Sequence, residues 1–113
     1  MQNTKKLRRH TLENSKAYTF IGFAMRTGKY KVGMNACQTL KKANLVIICK
    51  SASENSVKEG LKLAKKLHCV ILQTSKDLLE EIIHRANTKV MAIADKDLAL
   101  AVLQNCENYF IKL

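Results

Sequence analysis

From Ala17 onward the apolar residues fall into blocks whose spacing changes along the chain. Ala17, Phe20, Ile21 and Ala24 recur at three- and four-residue intervals, the period of a helix with one buried face. Ser15 precedes them with a hydroxyl suited to an N-cap, and Gly28 follows as a left-handed stop. Lys29 to Val32 reads as a short link to Gly33. Beyond the glycine, Ala36 or Cys37, Leu40 and Ala43 make a second helical stripe, with Gln38, Lys41 and Lys42 turned away from it. Leu45 to Cys49 then breaks the period. An unbroken apolar run rich in β-branched side chains predicts a strand covered on both faces.

The second half repeats this alternation. Ser56-Val57-Lys58-Glu59 fits a capping box for a helix with Val57, Leu61, Ala64 and Leu67 on its buried face. Lys58, Lys62, Lys65 and Lys66 occupy the other face and read as a solvated surface. Cys69 to Gln73 predicts a second covered strand. Thr74 or Ser75 would cap a helix carrying Leu78, Leu79, Ile82, Ile83 and Ala86, and Lys89 to Ala94 predicts a third strand. Asp95 caps a last helix with Leu98, Ala99, Val102 and Leu103 inside, and Tyr109 to Ile111 adds a short edge strand. Covered strands alternating with amphipathic helices predict an α/β fold. The expected architecture is a three-layer α/β/α sandwich around a mixed, partly parallel sheet, because parallel neighbours need helical crossovers.

Composition narrows the class further. At 113 residues the chain suits one core. Residues 1–14 read as a basic leader and 15–113 as a single domain. With no proline and four glycines, long linkers are not expected. The apolar runs are far shorter than a bilayer requires, so no membrane partner is expected. Met1 to Asn14 is polar and basic, without the apolar segment of a secretory signal, which points to the cytoplasm. Cys37, Cys49, Cys69 and Cys106 stand singly, with no zinc-ligand spacing, and read as reduced core thiols.

Charge changes the picture more. The net charge is +11, and it is concentrated in the first half of the chain. Between Asn14 and Ser53 there is no Asp or Glu, while Lys16, Arg26, Lys29, Lys31, Lys41, Lys42 and Lys50 are all present. An acid-free basic block of this length predicts a phosphate-binding face.

Signs of catalysis are weak. Gly22, Gly28, Gly33 and Gly60 do not cluster into a phosphate cradle, and His10, His68 and His84 lack partners at metal or triad spacing. Asp95-Lys96-Asp97 flanks a strand end, but capping by Asp95 and a first-turn charge at Asp97 account for it. The expectation is a protein that is not an enzyme, with no cofactor and no metal.

Five stretches in order then resemble a known family: Ile21-Gly22-Phe23-Ala24-Met25-Arg26-Thr27-Gly28-Lys29, Gly33, Leu45-Val46-Ile47-Ile48, Ser51-Ala52-Ser53-Glu54-Asn55 and Val90-Met91-Ala92-Ile93-Ala94-Asp95-Lys96. Over about Tyr18 to Leu103 the sequence resembles the L-seven-Ae group of ribosomal proteins, which bind kink-turns and related RNA bends. The resemblance implies that the turn at Gly33 meets RNA, with Asn35 at the position that touches sheared G·A pairs. Thr39 stands where the family carries a lysine, and the segment from Gly33 to Leu45 is about three residues shorter than usual.

The function expected from these readings is noncatalytic binding of structured RNA, ribosomal or regulatory, by a monomer that is ribosome-associated or ribosomal-protein-like. Gly33, Met34, Asn35 and Gln38 would lie near bases; Arg26, Lys29, Lys31, Lys41 and Lys42 near phosphates; Arg85 and Lys89, with Asn87 and Thr88, would form a second contact. The alternative is a diverged protein-interaction or assembly module of the same fold.

Overall fold

Ser15 opens the first helix as expected: its Oγ accepts the Tyr18 N–H at 3.4 Å, and Gly28 closes the helix at a φ of 76°. This helix, α1 (Lys16–Thr27), is the first element of a computed structural model that describes residues 15–113. The basic leader, with Lys5, Lys6, Arg8, Arg9 and His10, lies outside the described residues. The chain continues as β1 (Tyr30–Val32), α2 (Met34–Gln38), β2 (Leu45–Ile48), α3 (Glu54–Leu67) and β3 (Val70–Thr74). It ends with α4 (Leu79–Ile83), β4 (Val90–Ile93), α5 (Lys96–Gln104) and β5 (Phe110–Lys112).

The five strands form one mixed sheet in the order β1-β4-β2-β3-β5. Only β2 and β3 run parallel, with Leu45 opposite Val70 and Ile48 opposite Gln73, and α3 makes the crossover between them. The other three pairings are antiparallel. Consequently β1, β2 and β3 end, and β4 and β5 begin, at the same end of the sheet. We call this the near end.

The period-two alternation of strand side chains divides the core in two. Leu45 and Ile47 of β2, with Met91 and Ile93 of β4, face Ala17, Ile21 and Ala24 of α1, Leu79 and Ile83 of α4, and Ala99 and Val102 of α5. Val46 and Ile48, with Val90 and Ala92, face Cys37 next to β1 and Leu63, Ala64 and Leu67 of α3. Helices therefore cover both faces, giving the three-layer α/β/α sandwich. Its front layer is α1, α4 and α5; its back layer is α2 and α3. All four cysteines are free thiols, Cys37 and Cys49 buried and Cys69 and Cys106 half-buried.

Several local expectations need correction. Lys29 to Val32 is not only a link: Tyr30 to Val32 pair with β4 as an edge strand. The second helix stops after five residues rather than running to Ala43. Its last turn tightens as the Thr39 N–H and hydroxyl both donate to the Ala36 carbonyl, the hydroxyl at 2.6 Å. The α3 cap is Ser53, whose Oγ accepts the Ser56 N–H at 3.1 Å, three residues before the expected start. The buried stripe of α3 runs through Gly60, Leu63, Ala64 and Leu67, leaving Leu61 42% exposed. Helix α4 is capped neither by Thr74 nor by Ser75. Its N-cap is Leu78, whose N–H is accepted by Glu81 at 3.3 Å, and the helix ends at left-handed His84, short of Ala86. Thr74 is instead buried in β3, its hydroxyl accepting the Lys50 N–H at 2.8 Å. The last strand begins at Phe110, one residue after the expected Tyr109.

Candidate nucleic-acid interface

Three neighbouring strands, β1, β4 and β2, bring three loops together at the near end. The first is the turn at Gly33, where φ is 92° and the N–H donates to the Val90 carbonyl at 3.0 Å. A Cβ at Gly33 would meet nothing within 4 Å, so the backbone conformation rather than crowding requires glycine here. The turn delivers Met34 half-buried and Asn35 exposed at the start of α2. The second loop, residues 84–89 between α4 and β4, ends with the Lys89 carbonyl accepting the Cys49 N–H at 2.8 Å. The third is the β2–α3 turn, Lys50 to Ser53.

A polar network holds the second and third loops together. Lys89 Nζ donates to Ser51 Oγ at 2.9 Å and to Glu80 Oε1 at 2.6 Å, while Glu80 Oε2 accepts the Asn87 N–H at 2.9 Å. The lysine hydrogen bond and the Asn87 N–H hold the Glu80 carboxyl below its ordinary pKa, and Glu80 in turn raises that of Lys89. Next to Ser51 lies the buried thiol of Cys49, 3.2 Å from the hydroxyl and accepting the Leu79 N–H at 3.3 Å. Burial disfavours its thiolate, but hydrogen bonds from Ser51 and Leu79 and the charge of Lys89 outweigh burial and lower its pKa. Ser51, Lys89 and Cys49 therefore have the composition of a nucleophile site without its working order. Lys89 is held protonated by Glu80, so it offers no base to Ser51, and Cys49 has no exposed surface. The arrangement serves to anchor the loop.

The expected site residues are only partly gathered. Gly33, Met34, Asn35 and Lys89 share the near end. Gln38 lies at the end of α2 away from Gly33, its carbonyl accepting Lys66 Nζ of α3 at 3.3 Å. Arg85, in the α4–β4 loop, sets its guanidinium 5.9 Å from the centroid of the Tyr30 ring. Arg26 stacks over Phe23 at 4.9 Å and lines a front groove of about 490 Å³ between α1 and α4, together with His84. Lys31 is exposed on the edge strand. Lys29 belongs to the opposite end of the sheet, where it pairs with Asp95 at 3.6 Å. Lys41 and Lys42 are not helical. They lie exposed in the segment that returns to that opposite end, where the Asn44 N–H meets the Ile93 carbonyl at 2.9 Å. Thr39 uses its hydroxyl on the end of α2.

Sequence reasoning passes over Ser51 as a side chain of the site, and it passes over Glu80 altogether. Their link through Lys89 depends on a loop closing across the sheet, and no local spacing announces it. Among the described residues, no group of three or more metal-ligating side chains gathers, and no helix is long and apolar enough to cross a membrane.

No family model matches the chain, and no curated protein matches it. A solved structure described as "a protein with unknown function from Bacillus halodurans C" is similar in fold, with a TM-score of 0.68 at 18% identity, covering 80% of this chain and 96% of its own. At that identity the likeness concerns the fold, an α/β sandwich with a mixed sheet.

Proposed function

We propose that this protein is a noncatalytic RNA-binding protein of the L-seven-Ae type, holding a bent, structured RNA at the near end of its sheet. One observation carries the reading. The Gly33–Asn35 turn and the α4–β4 loop, far apart in sequence, meet on adjacent strands through the Gly33–Val90 hydrogen bond, beside the β2–α3 turn. Asn35 can donate and accept at exposed base edges, while Lys31 and Arg85 supply positive charge on either side of the edge strand. On this reading the protein acts as a monomer in the cytoplasm, ribosome-associated or ribosomal-protein-like, and needs no cofactor.

A binding assay with two RNA duplexes of equal length, one carrying a kink-turn and one straight, tests the proposal at about 0.1 M salt. The kinked RNA should bind at least on the order of tenfold tighter, and Asn35→Ala should remove most of that preference. Equal affinity for both duplexes would sink the reading. Exposed Leu100, Ile111 and Leu113 favour a second reading, a protein-interaction or assembly module of the same fold. In that case, the triple variant N35A/K31Q/R85Q would leave RNA crosslinking in cells unchanged.

A further inference from the structure

Helix α3 carries Lys58, Lys62, Lys65 and Lys66, all exposed. On a helix, 58–62 and 62–66 are vertical neighbours and 62–65 lie one turn apart, so these ammonium groups repel one another. Among the described residues, none of them has a carboxylate within ion-pair distance; the ion pairs present are Lys29–Asp95 and Lys89–Glu80. An isolated solvated face would gain by interleaving acids, as surface helices do. Glu54 and Glu59 stand four and three residues before Lys58 and Lys62, but Lys65 and Lys66 have no acid within a turn on either side, so toward the end of α3 the repulsion is left uncompensated.

Packing adds a second, independent observation. Lys62 and Lys66 lie on the side of α3 that faces α2, and they border an open groove of about 480 Å³ with Gln38, Glu59 and Leu63. Lys66 Nζ is fixed over this groove by the Gln38 carbonyl. Glu59 contributes the one carboxylate there, against two ammonium groups. Helix α3 starts at the near end, directly after the β2–α3 turn, and Lys58 to Lys66 extend about 12 Å along it. The lysines therefore continue from the proposed RNA site down the back of the molecule.

We infer that the α3 lysines and the α2–α3 groove form a track for the sugar-phosphate backbone of an RNA stem leading away from the bend bound at Gly33. The inference rests on the RNA-binding reading and extends it to a second surface. Phosphate binding of this kind adds affinity and orientation but carries no sequence information.

The test uses the full chain, a kink-turn RNA with one extended stem, and a salt titration of binding. The quadruple variant K58Q/K62Q/K65Q/K66Q keeps long helix-forming side chains while removing the charges. A control, K16Q/K76Q/K96Q/K112Q, removes four charges outside α3. Each phosphate deprived of its lysine lowers the slope of log affinity against log salt by about one. The α3 variant should therefore show a slope shallower by about two to three and an affinity weaker on the order of tenfold, with its preference for kinked over straight RNA unchanged. The control should change the slope by less than half as much. Equal changes in both variants, or none in the α3 variant, would overturn the track while leaving the RNA site intact. If the parent protein binds neither RNA, both proposals fall. If it instead binds vesicles of phosphatidylserine and phosphatidylcholine through these lysines, a membrane surface replaces RNA as the partner.

Discussion

The two faces of the sheet are closed by different means. The front is covered by three helices and finished with aromatic packing: Tyr18 meets the rings of Tyr109 and Phe110 edge-on, with centroids 5.2 and 5.8 Å away, and its hydroxyl donates to Asp77 at 2.7 Å. Burial and then this hydrogen bond push the Tyr18 hydroxyl far above its ordinary pKa, so it stays a neutral donor. The back is covered by α3 and a five-residue helix, and α3 comes close enough that a Cβ on Gly60 would lie 2.5 Å from Ile48 Cδ1. Large side chains fill the front. On the back, the absence of a side chain at Gly60 lets a helix lie almost on the sheet. The back thus leaves its outer surface to lysines, while the front devotes its helices to core.

Adjacent isoleucines in β2 break this comparison most strongly. Ile47 faces the front and Ile48 the back, and both are fully buried. Truncation of either to alanine should cost about 2–5 kcal/mol in urea unfolding. Ile47→Ala should be the worse, because the front core it belongs to is walled by three helices, which hold its cavity open. Equal destabilisation would mean that the back core is as rigid as the front.

Gly60 sharpens the contrast next. Gly60→Ala gains about 1 kcal/mol of helix propensity and loses about 1–3 kcal/mol to overpacking against Ile48. Combining it with Ile48→Val, which removes the clashing Cδ1, should give a double variant more stable than the sum of the two by about 1 kcal/mol. Strict additivity in a thermal-unfolding cycle would show that the close approach is not what fixes glycine there.

The smallest effect belongs to the loop that connects front to near end. Glu80 is depressed in the folded state, so its contribution is present above its unfolded pKa and is lost as pH falls through the folded value. Lys89 is raised, so its contribution is present below its unfolded pKa and is lost as pH rises through the folded one. Amide hydrogen exchange at Asn87, whose N–H is bonded to Glu80, should thus be slowest relative to intrinsic rates between these limits. In Glu80→Gln this pH dependence should flatten with little change in global stability.

Much of the architecture is legible because its signals are local. Ser15, Gly28 and Asp95 act at helix ends as expected, with Asp95 Oδ1 accepting the Leu98 N–H at 2.9 Å, and the covered strands of β2, β3 and β4 stand out as apolar runs. What escapes has physical reasons. Gly60 belongs to the buried stripe of α3 but carries no side chain to mark it, so periodicity points to Leu61 instead. Tyr30-Lys31-Val32 is too short to show alternation, and its strand character comes from β4 alone. Leu40 and Ala43 keep helical spacing, yet α2 ends because the chain must cross to the opposite end of the sheet before β2 begins. For the candidate site, Gly33 and Asn35 can be picked out, but the Ser51–Lys89–Glu80 network and the neighbourhood of Gln38 and α3 exist only through tertiary packing.

Strand order also sets a schedule. Among the described residues β1 pairs with β4 and with no other strand, and β4 follows it by about sixty residues. At ribosomal rates the Tyr30–Val32 segment emerges on the order of several seconds before its partner exists. The parallel β2–α3–β3 unit is complete well before then. The Gly33 turn, whose N–H meets the Val90 carbonyl, therefore cannot close until β4 emerges, and a nascent chain would acquire its β2–α3–β3 unit before the proposed binding surface at Gly33.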